Sequence, residues 1–435
     1  MTTAGTTASQ HHLGVRKLLA IPDFRRLLLS RLAAQWGDGL FQAGLAGAVL
    51  FNPERHADPL AIAAGFAVLL LPYSVVGPFA GALLDRWDRR RVLVVANLVR
   101  AVFVLLTALA VGAGLDGVPL YASALMVTGV SRFVGSGSSA ALPHVVEGDH
   151  LVEANAFVTT LGALTAVVGA ACAVGLRGLL GAGDGGSSWT TSVAVVGSVL
   201  AAFLASRFGR GVLGPDEVDE PSRTITAVAR GLLDGGRAAW HTPSVTAALL
   251  ALLAHRIGFG ASLLLTLLLM RNTLTDFGPF KAGLAGLGEV AVAGGLGILV
   301  AGLVTDRLVD RFGRRGVVVG ALVLAAVTQV GLGLPMLLPT ILVASFLLTY
   351  AGQTIKLCVD ASVQGDVGDE VRGRVFALYD TLFNASQVAA VSVAAALVPL
   401  DGRSPGLVLA ATAVYLVGAG GFLLLARRGQ VTGHG

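Results

Sequence analysis

The sequence carries little charge and little cysteine for its length. Charged residues are 13% of 435 residues, about half of the roughly 25% found in soluble globular proteins. The two cysteines, Cys172 and Cys358, lie in apolar segments without the spacing of a zinc site or a disulfide partner. We therefore do not expect a soluble fold with a charged surface, a structural zinc site or a disulfide-stapled scaffold.

Motifs of soluble enzymes are also missing. The chain has no Walker-type phosphate loop, no metal-ligand spacing and no nucleophile elbow. The sequence therefore predicts a protein that is not an enzyme and that needs no cofactor and no metal. The net charge of +5 does not indicate nucleic-acid binding, because the basic residues form short clusters between apolar blocks.

Long apolar blocks fill the chain. Hydrophobic residues are 54% of the total, and a membrane-spanning helix needs about 20 consecutive apolar residues. The first 26 residues are polar, and the block that follows is too long for a signal peptide, so it is interpreted as a retained first span. The sequence predicts an all-α membrane protein whose twelve spans are 27–50, 61–83, 92–113, 119–141, 153–177, 187–207, 244–270, 282–305, 316–334, 338–359, 374–398 and 405–426.

Charge asymmetry predicts the orientation and the domain division. If the N-terminus is inside, 22 of the 31 Lys and Arg residues fall in the inside segments, and basic residues are retained on the cytoplasmic side. Both termini are then cytoplasmic. The predicted parts are an N-terminal tail (1–26), a six-helix half (27–207), a polar linker (208–243) with a surface helix near 224–240, a second half (244–428) and a C-terminal tail (429–435).

The two halves resemble each other at an offset of about 220 positions. Asp85 follows the second span and Asp306 follows the eighth, each within a basic loop that begins near a glycine. Asp149 and Asp369 are related by the same offset, in the loops after the fourth and tenth spans. This pattern indicates duplication of a six-span unit, with a binding site between the units near the middle of the membrane.

At these loops the chain resembles the major facilitator superfamily. Its signature loop between the second and third spans is matched here, and a longer second copy follows the eighth span. The segments 140–143 and 372–376 are similar to the enterobactin-exporter and macrolide-efflux branch. The resemblance implies a monomer that works by alternating access, with a conformational latch formed by Gly81, Asp85, Arg86, Arg89, Arg90, Gly302, Asp306, Arg307, Arg314 and Arg315.

Ionisable residues inside the first half are candidates for function, because they are costly in a bilayer. Asp38 stands in the middle of the first span without a charged neighbour on its own helix, so it carries a proton or has a partner on another helix. Arg132 in the fourth span is the expected partner, and the family resemblance links an arginine of this span to proton coupling. Arg100 is expected nearer the cytoplasmic face, snorkelling or pairing with loop acids.

The second half offers its own candidates. His255 and Arg256 lie in the seventh span, and Glu289 in the eighth span is one candidate partner for Arg256. Lys356 and Asp360 have the spacing of an intrahelical ion pair. The predicted proton-coupling and substrate-cavity residues of both halves are Asp38, Arg132, His255, Arg256, Glu289, Asp380 and Asn384.

These features favour a proton-coupled exporter of small hydrophobic compounds in the cell membrane. The expected partners are a small-molecule substrate, protons and the lipid bilayer, but no nucleic acid. Two alternatives stay open from the sequence: uptake of a metabolite by proton symport, and a membrane sensor or integral-membrane enzyme that transports nothing.

Overall fold

A computed structural model of the chain describes residues 15–52, 59–61, 63–65, 67–68, 72, 87–147, 150–214 and 224–431. These residues are almost entirely helical. The predicted second span, 61–83, lies mostly outside the described residues. A first group of helices comprises α1 (Val15–Ala20), α2 (Pro22–Leu50), α3 (Arg89–Gly112), α4 (Val118–Ala141), α5 (Leu151–Leu180), α6 (Asp184–Ser192) and α7 (Ala194–Ser206).

A second group follows along the chain. It comprises α8 (Thr224–His241), α9 (Pro243–Asn272), α10 (Gly283–Thr328), α11 (Leu338–Asp366), α12 (Asp369–Leu397) and α13 (Pro405–Val431). Helix α8 lies where a surface helix was expected, between the two apolar parts of the chain. A π-helical turn, Gln329–Gly333, extends α10.

Helices coincide with the predicted spans throughout the described residues, with two differences in detail. The predicted span 187–207 consists of two consecutive helices, α6 and α7. The predicted spans 282–305 and 316–334 correspond to two helical parts, labelled together as α10, which extend into the predicted loop and are separated by a break at Gly313, where φ is +71° and ψ is 155°. Among the described residues, eight helical segments are long and apolar enough to cross a membrane, and α10 with its π-turn counts as one of them.

Helices pack most extensively within their own group. In the first group α2 packs on α5 and α7, and in the second group α10 packs on α11 while α9 packs on α13. Glycine permits the closest of these approaches. A Cβ atom at Gly39 would clash with the backbone of Ala166, and one at Gly169 would clash with the backbone of Trp36. Gly175, in the same helix as Gly169, faces open space.

The two ends of the helix bundle differ in the contacts that they make. We call the end where α2 and α9 begin the basic face, because Arg89, Arg90, Arg314 and Arg315 lie there. At the opposite face the two groups meet. Arg271 Nη1, at the end of α9, donates a hydrogen bond to Val49 O of α2 at 3.4 Å.

Apolar packing reinforces the contact at the opposite face. Ala63 and Leu50 of the first part pack against a cluster on α9, α12 and α13 that contains Leu264, Leu268 and Val391. At the basic face, the hydrogen bonds that Arg89, Arg90 and Arg314 donate to Ala140, Ser206 and Ser362 each stay within one group. The described part of the chain is therefore joined across the groups mainly at the opposite face.

Candidate functional site

A buried ion pair occupies the middle of the first helix group. Arg100 Nη1 of α3 donates to Asp38 Oδ1 of α2 at 3.0 Å. Ser131 Oγ of α4 donates to the same oxygen at 2.6 Å, and Arg100 Nε donates to Ser198 Oγ of α7 at 2.9 Å. The Arg100 side chain is 1% exposed, whereas that of Asp38 is 18% exposed. Residues of four helices thus form or support one ion pair, whose carboxylate stays partly exposed.

The direct partner of Asp38 is therefore Arg100, and the expectation that Arg100 snorkels towards the basic face is wrong. That expectation placed the start of the third span too late. Helix α3 begins at Arg89, so Arg100 lies near its centre. Asp38 and Arg100 each stand twelve residues before the last residue of their helices, and this shared depth is the sequence signal that could have identified the pair.

Arg132 links the two helix groups electrostatically. It lies on α4, next to Ser131, and interacts with the charges of both Asp38 and Asp380. Asp380 belongs to α12 of the second group and is exposed. Arg132 thus interacts electrostatically with one carboxylate of each group. The sequence indicated Arg132 as the direct ion-pair partner of Asp38, whereas the arginine that donates a hydrogen bond to this carboxylate is Arg100.

A second charged cluster lies on α11 and α12. Lys356 Nζ and Asp360 Oδ2 form the expected intrahelical ion pair at 2.7 Å. The Lys356 ammonium also lies 5.6 Å from the centroid of the Tyr379 ring. Asp380 interacts electrostatically with Lys356 and Asp360 as well as with Arg132. Charges from α4, α11 and α12 therefore form one connected electrostatic network.

Arg256 lies in a cavity of about 350 Å³ among α9, α10, α11 and α12. Its guanidinium carbon stands 3.5 Å above the centroid of the Phe383 ring, which is a close cation–π geometry. Its Nε donates to Phe383 O at 3.5 Å. Phe259, Ile298 and Gln353 also line this cavity.

His255 neighbours Arg256 but is almost fully buried, with 2% of its surface exposed. Its Nε2 lies 3.0 Å from Leu348 O, and its ring packs between Phe259 and Tyr415 at centroid distances of 5.9 and 5.6 Å. Since a carbonyl can only accept, Nε2 is the donor. These contacts are those of a hydrogen-bonded packing residue on α9.

Glu289 lies near the beginning of α10, at the opposite face. Its Oε1 accepts the backbone N–H of Lys281 at 3.1 Å, so Glu289 binds the loop before α10. Ile298 of the cavity is nine residues further along the same helix, which corresponds to about 14 Å. Glu289 is therefore not the partner of Arg256 that the sequence suggested.

The loop beside Glu289 holds a second carboxylate, Asp276. Its oxygens accept the backbone N–H of Ala282 and a hydrogen bond from the Lys281 ammonium, each at 2.9 Å. These bonds lower the pKa of Asp276 below its ordinary value. The loop between α9 and α10 is thus organised by two carboxylates at the opposite face.

Asp380 and Asn384 share one face of α12, as predicted, but their surroundings differ. Asp380 is exposed, whereas Asn384 is 7% exposed. The Asn384 amide donates to the backbone carbonyl of Asp380 at 2.9 Å. Asp380 is therefore the member of the pair that faces the space between the groups.

The first predicted latch loop is only partly described. Gly81, Asp85 and Arg86 lie outside the described residues. Arg89 Nη1 donates to Ala140 O at 2.9 Å, and Arg90 Nη2 donates to Ser206 O at 2.8 Å. Both carbonyls lie at helix C-termini, where basic side chains are favourable. In this structure the two arginines join α3 to α4 and α7.

The second predicted latch loop contains the break in α10. Arg314 Nη1 donates to Ser362 Oγ at 3.2 Å and lies 3.7 Å from Asp366 Oδ2 of α11. Asp306, Arg307 and Arg315 are exposed. A Cβ atom at Gly302 would meet nothing within 4 Å. The acidic and basic groups of this loop are thus mostly available for other contacts.

Comparison with known proteins identifies the chain at the level of family. A family model described as Major Facilitator Superfamily matches residues 27–390. A protein of Mycobacterium tuberculosis (strain ATCC 25618 / H37Rv), named as an uncharacterized MFS-type transporter, is 46% identical over 422 residues. That match covers 95% of this chain and 94% of the relative.

Solved transporters share the fold. A crystal structure of the nucleoside transporter NupG superposes with a TM-score of 0.66 at 13% identity, over 95% of this chain and 99% of that one. A bacterial homologue of the human lysosomal transporter Spinster, inward-facing and unoccupied, gives 0.63 at 13% identity, over 93% and 98%. At these identities the likeness concerns the fold alone.

Proposed function

The chain belongs to the major facilitator superfamily, a family of multi-pass membrane transporters rather than enzymes, and we propose that it exports small hydrophobic compounds in exchange for protons. The proposed working parts are the two six-helix halves, 27–207 and 244–428, joined by the linker 208–243. Rocking of these halves would expose one central cavity alternately to either side of the cell membrane. Both termini lie in the cytoplasm in this proposal.

The observation that carries the proposal is the environment of Asp38. Its carboxylate accepts from Arg100 and Ser131, yet it is partly accessible. Protonation would remove the charge that balances buried Arg100, and an uncompensated buried charge is strongly unfavourable. Loading and release of a proton would thus change the relative stability of the arrangements of α2, α3, α4 and α7.

Contacts at the opposite face support an inward-facing assignment. Arg271 binds Val49 O, and Leu50 packs on the second group, while the basic face lacks such links among the described residues. Because basic loops stay cytoplasmic, the contacted face is extracellular in this proposal. Asp380 and Arg132 would then face a cavity that opens to the cytoplasm.

In this proposal the latch residues act in the outward-facing state. Asp306 and Arg307 are exposed here, whereas closure of the basic face would bring them towards the first group. Charge-assisted contacts at that face would then stabilise the outward-facing state. The basic loops would bias alternating access without touching the transported compound.

Transport and its direction can be tested in everted membrane vesicles with an imposed proton gradient. We expect accumulation of one or more lipophilic compounds, collapsing when an uncoupler dissipates the gradient. Gradient-driven movement in the opposite direction would identify symport uptake instead. Transport that does not depend on the proton gradient would contradict proton coupling. If no compound is transported, the proposal of an exporter is contradicted.

A further inference from the structure

We propose that Arg256 binds the carboxylate of apolar organic acids, so that the transported compounds are monoanions with an aromatic or aliphatic body. This inference rests on the proposed transport function and defines its substrate class. The site is the cavity of about 350 Å³ on the second helix group. That volume is within the range of small-molecule sites.

The guanidinium of Arg256 has few partners in the protein. Phe383 covers one face of the group and accepts from Nε. Among the described residues, Arg256 forms no ion pair, and its two terminal amines donate no hydrogen bond. A guanidinium presents five N–H donors in a planar fork, so Arg256 offers a bidentate site to the cavity.

Near the middle of the membrane-spanning helices, the positive side chains outnumber the carboxylates. Arg100 pairs with Asp38, and Lys356 pairs with Asp360. Arg132 interacts with Asp380 as well as with Asp38. This part of the described structure contains one more cation than carboxylates: the cations are Arg100, Arg132, Arg256 and Lys356, and the carboxylates are Asp38, Asp360 and Asp380.

Among the described residues, no other acid forms an ion pair with Arg256. Glu289 binds the loop at the opposite face. The sequence has no acidic residue from 62 to 84, so the predicted second span supplies none. A charge within a membrane protein is costly without a counter-charge. A ligand carboxylate that binds Arg256 would provide that counter-charge.

The remaining walls select an apolar body for the ligand. Phe259, Phe383 and Ile298 supply ring faces and an aliphatic surface, while Thr349 and Gln353 are neutral. Lys356 adds a second positive group at the cavity edge. A carboxylate matches the planar fork of Arg256 in two parallel hydrogen bonds. A cationic compound of the same shape would place like charges together.

Three compounds that share a naphthalene ring but differ in their head group test this inference. The probes are 2-naphthoate, 2-naphthalenemethanol and 2-naphthylmethylammonium, and binding is measured by titration calorimetry on the purified protein in nanodiscs. We expect wild type to prefer naphthoate at least tenfold over the other two. Arg256→Gln should lose this preference, and Arg256→Lys should keep part of it.

The matched control is Arg311→Gln, which removes an exposed arginine of the same helix group whose guanidinium lies over the Phe312 ring. It should bind naphthoate like wild type. Undiminished naphthoate binding by Arg256→Gln, or equal binding of the three probes, would overturn the inference. If none of the three probes binds to wild type, the inference is overturned as well.

Proton flux separates failure of this inference from failure of the proposed function. Proton movement with cationic or neutral compounds, but no naphthoate preference, would overturn the inference and leave proton-coupled transport intact. Arg256-dependent naphthoate binding without any proton movement would support the site and contradict the coupling.

Discussion

Arg100 and Asp38 form an ion pair at 3.0 Å in the centre of the first helix group. Ser198 orients the arginine and Ser131 binds the carboxylate. Such a pair is often no more stable than an apolar replacement, but loss of one partner leaves a buried charge. This asymmetry makes the protonation state of Asp38 able to influence the helices that surround it.

Asp38→Asn should destabilise the protein, because Arg100 then remains charged and buried. Loss of one partner of a buried pair typically costs about 3–5 kcal/mol. The expected observation is a clear decrease in the melting temperature of the purified protein, followed by intrinsic fluorescence.

The double variant Asp38→Asn/Arg100→Gln is the control for that prediction. It removes both charges, so more than half of the lost stability should return. Equal melting temperatures of the single and double variants would show that the pair does not determine stability here.

Gly39→Ala and Gly169→Ala should both disrupt the packing of α2 on α5. In each case the added methyl group would clash with backbone of the other helix, and backbone cannot yield as a flexible side chain can. Gly175→Ala is the matched control on α5, because open space surrounds that position. We expect Gly175→Ala to retain the yield of folded protein in size-exclusion chromatography and the other two to lose most of it. Equal yields would contradict the observed helix approach.

Gly302→Ala and Gly313→Ala should have different effects on the second basic loop. Gly313 has φ of +71°, a conformation that is strained for alanine, so its replacement should lower the melting temperature. Gly302 is helical and unobstructed in this state, so its replacement should preserve stability. If Gly302 permits close contact in the outward-facing state, Gly302→Ala should reduce transport alone. Transport by Gly302→Ala at the wild-type rate would show that Gly302 has no role in the latch.

Arg271→Gln should weaken the contact between the helix groups at the opposite face. Its Nη1 binds Val49 O, and removal of this charge-assisted bond should increase the outward-facing population. Spin labels at Leu115 and Phe277 report on the opposite face, and labels at Glu147 and Arg311 report on the basic face. Double electron–electron resonance should show longer distances for the first pair and shorter ones for the second. If the distance distributions of both label pairs are unchanged, the contact between Arg271 and Val49 does not influence the equilibrium between the inward-facing and outward-facing states.

The loop organised by Asp276 should respond to acid. Hydrogen bonds from Ala282 and Lys281 lower the pKa of Asp276, so the carboxylate form is favoured in the folded loop. Its contribution is present above the ordinary pKa and is lost as pH falls through the lowered value. Hydrogen exchange of the segment 273–286 should be faster in Asp276→Asn than in wild type near pH 6, with the difference vanishing at lower pH. A difference that persists in strong acid would contradict this assignment.

Much of the fold was predictable because hydropathy and charge are strong signals in a bilayer. Apolar blocks located the helices, and the i, i+4 spacing of Lys356 and Asp360 predicted their ion pair correctly. The separation of the spans 282–305 and 316–334 was predictable as well, because Gly, Arg and Asp residues mark a break between spans and the backbone breaks within that loop, at Gly313. The extension of both helical parts almost to this glycine was not predictable.

Partners on different helices were harder to infer. The depth of Asp38 and the lack of a charged neighbour on its own helix indicate a functional carboxylate. The partner Arg100 was missed because the predicted third span begins at residue 92, three residues after the first residue of α3. Glu289 was one candidate partner for Arg256, because an arginine within a span needs an acid. Its actual contact, the backbone N–H of Lys281, depends on the path of a loop that hydropathy does not describe.

Compound-driven proton flux into proteoliposomes tests most directly whether Asp38 couples proton movement to transport. Wild type, Asp38→Asn and the loop variant Asp276→Asn would be compared with a pH-sensitive dye inside the vesicles, at equal amounts of folded protein. We expect compound-dependent flux in wild type and in Asp276→Asn, and none in Asp38→Asn. Flux in Asp38→Asn at the wild-type rate would contradict a coupling role for this carboxylate.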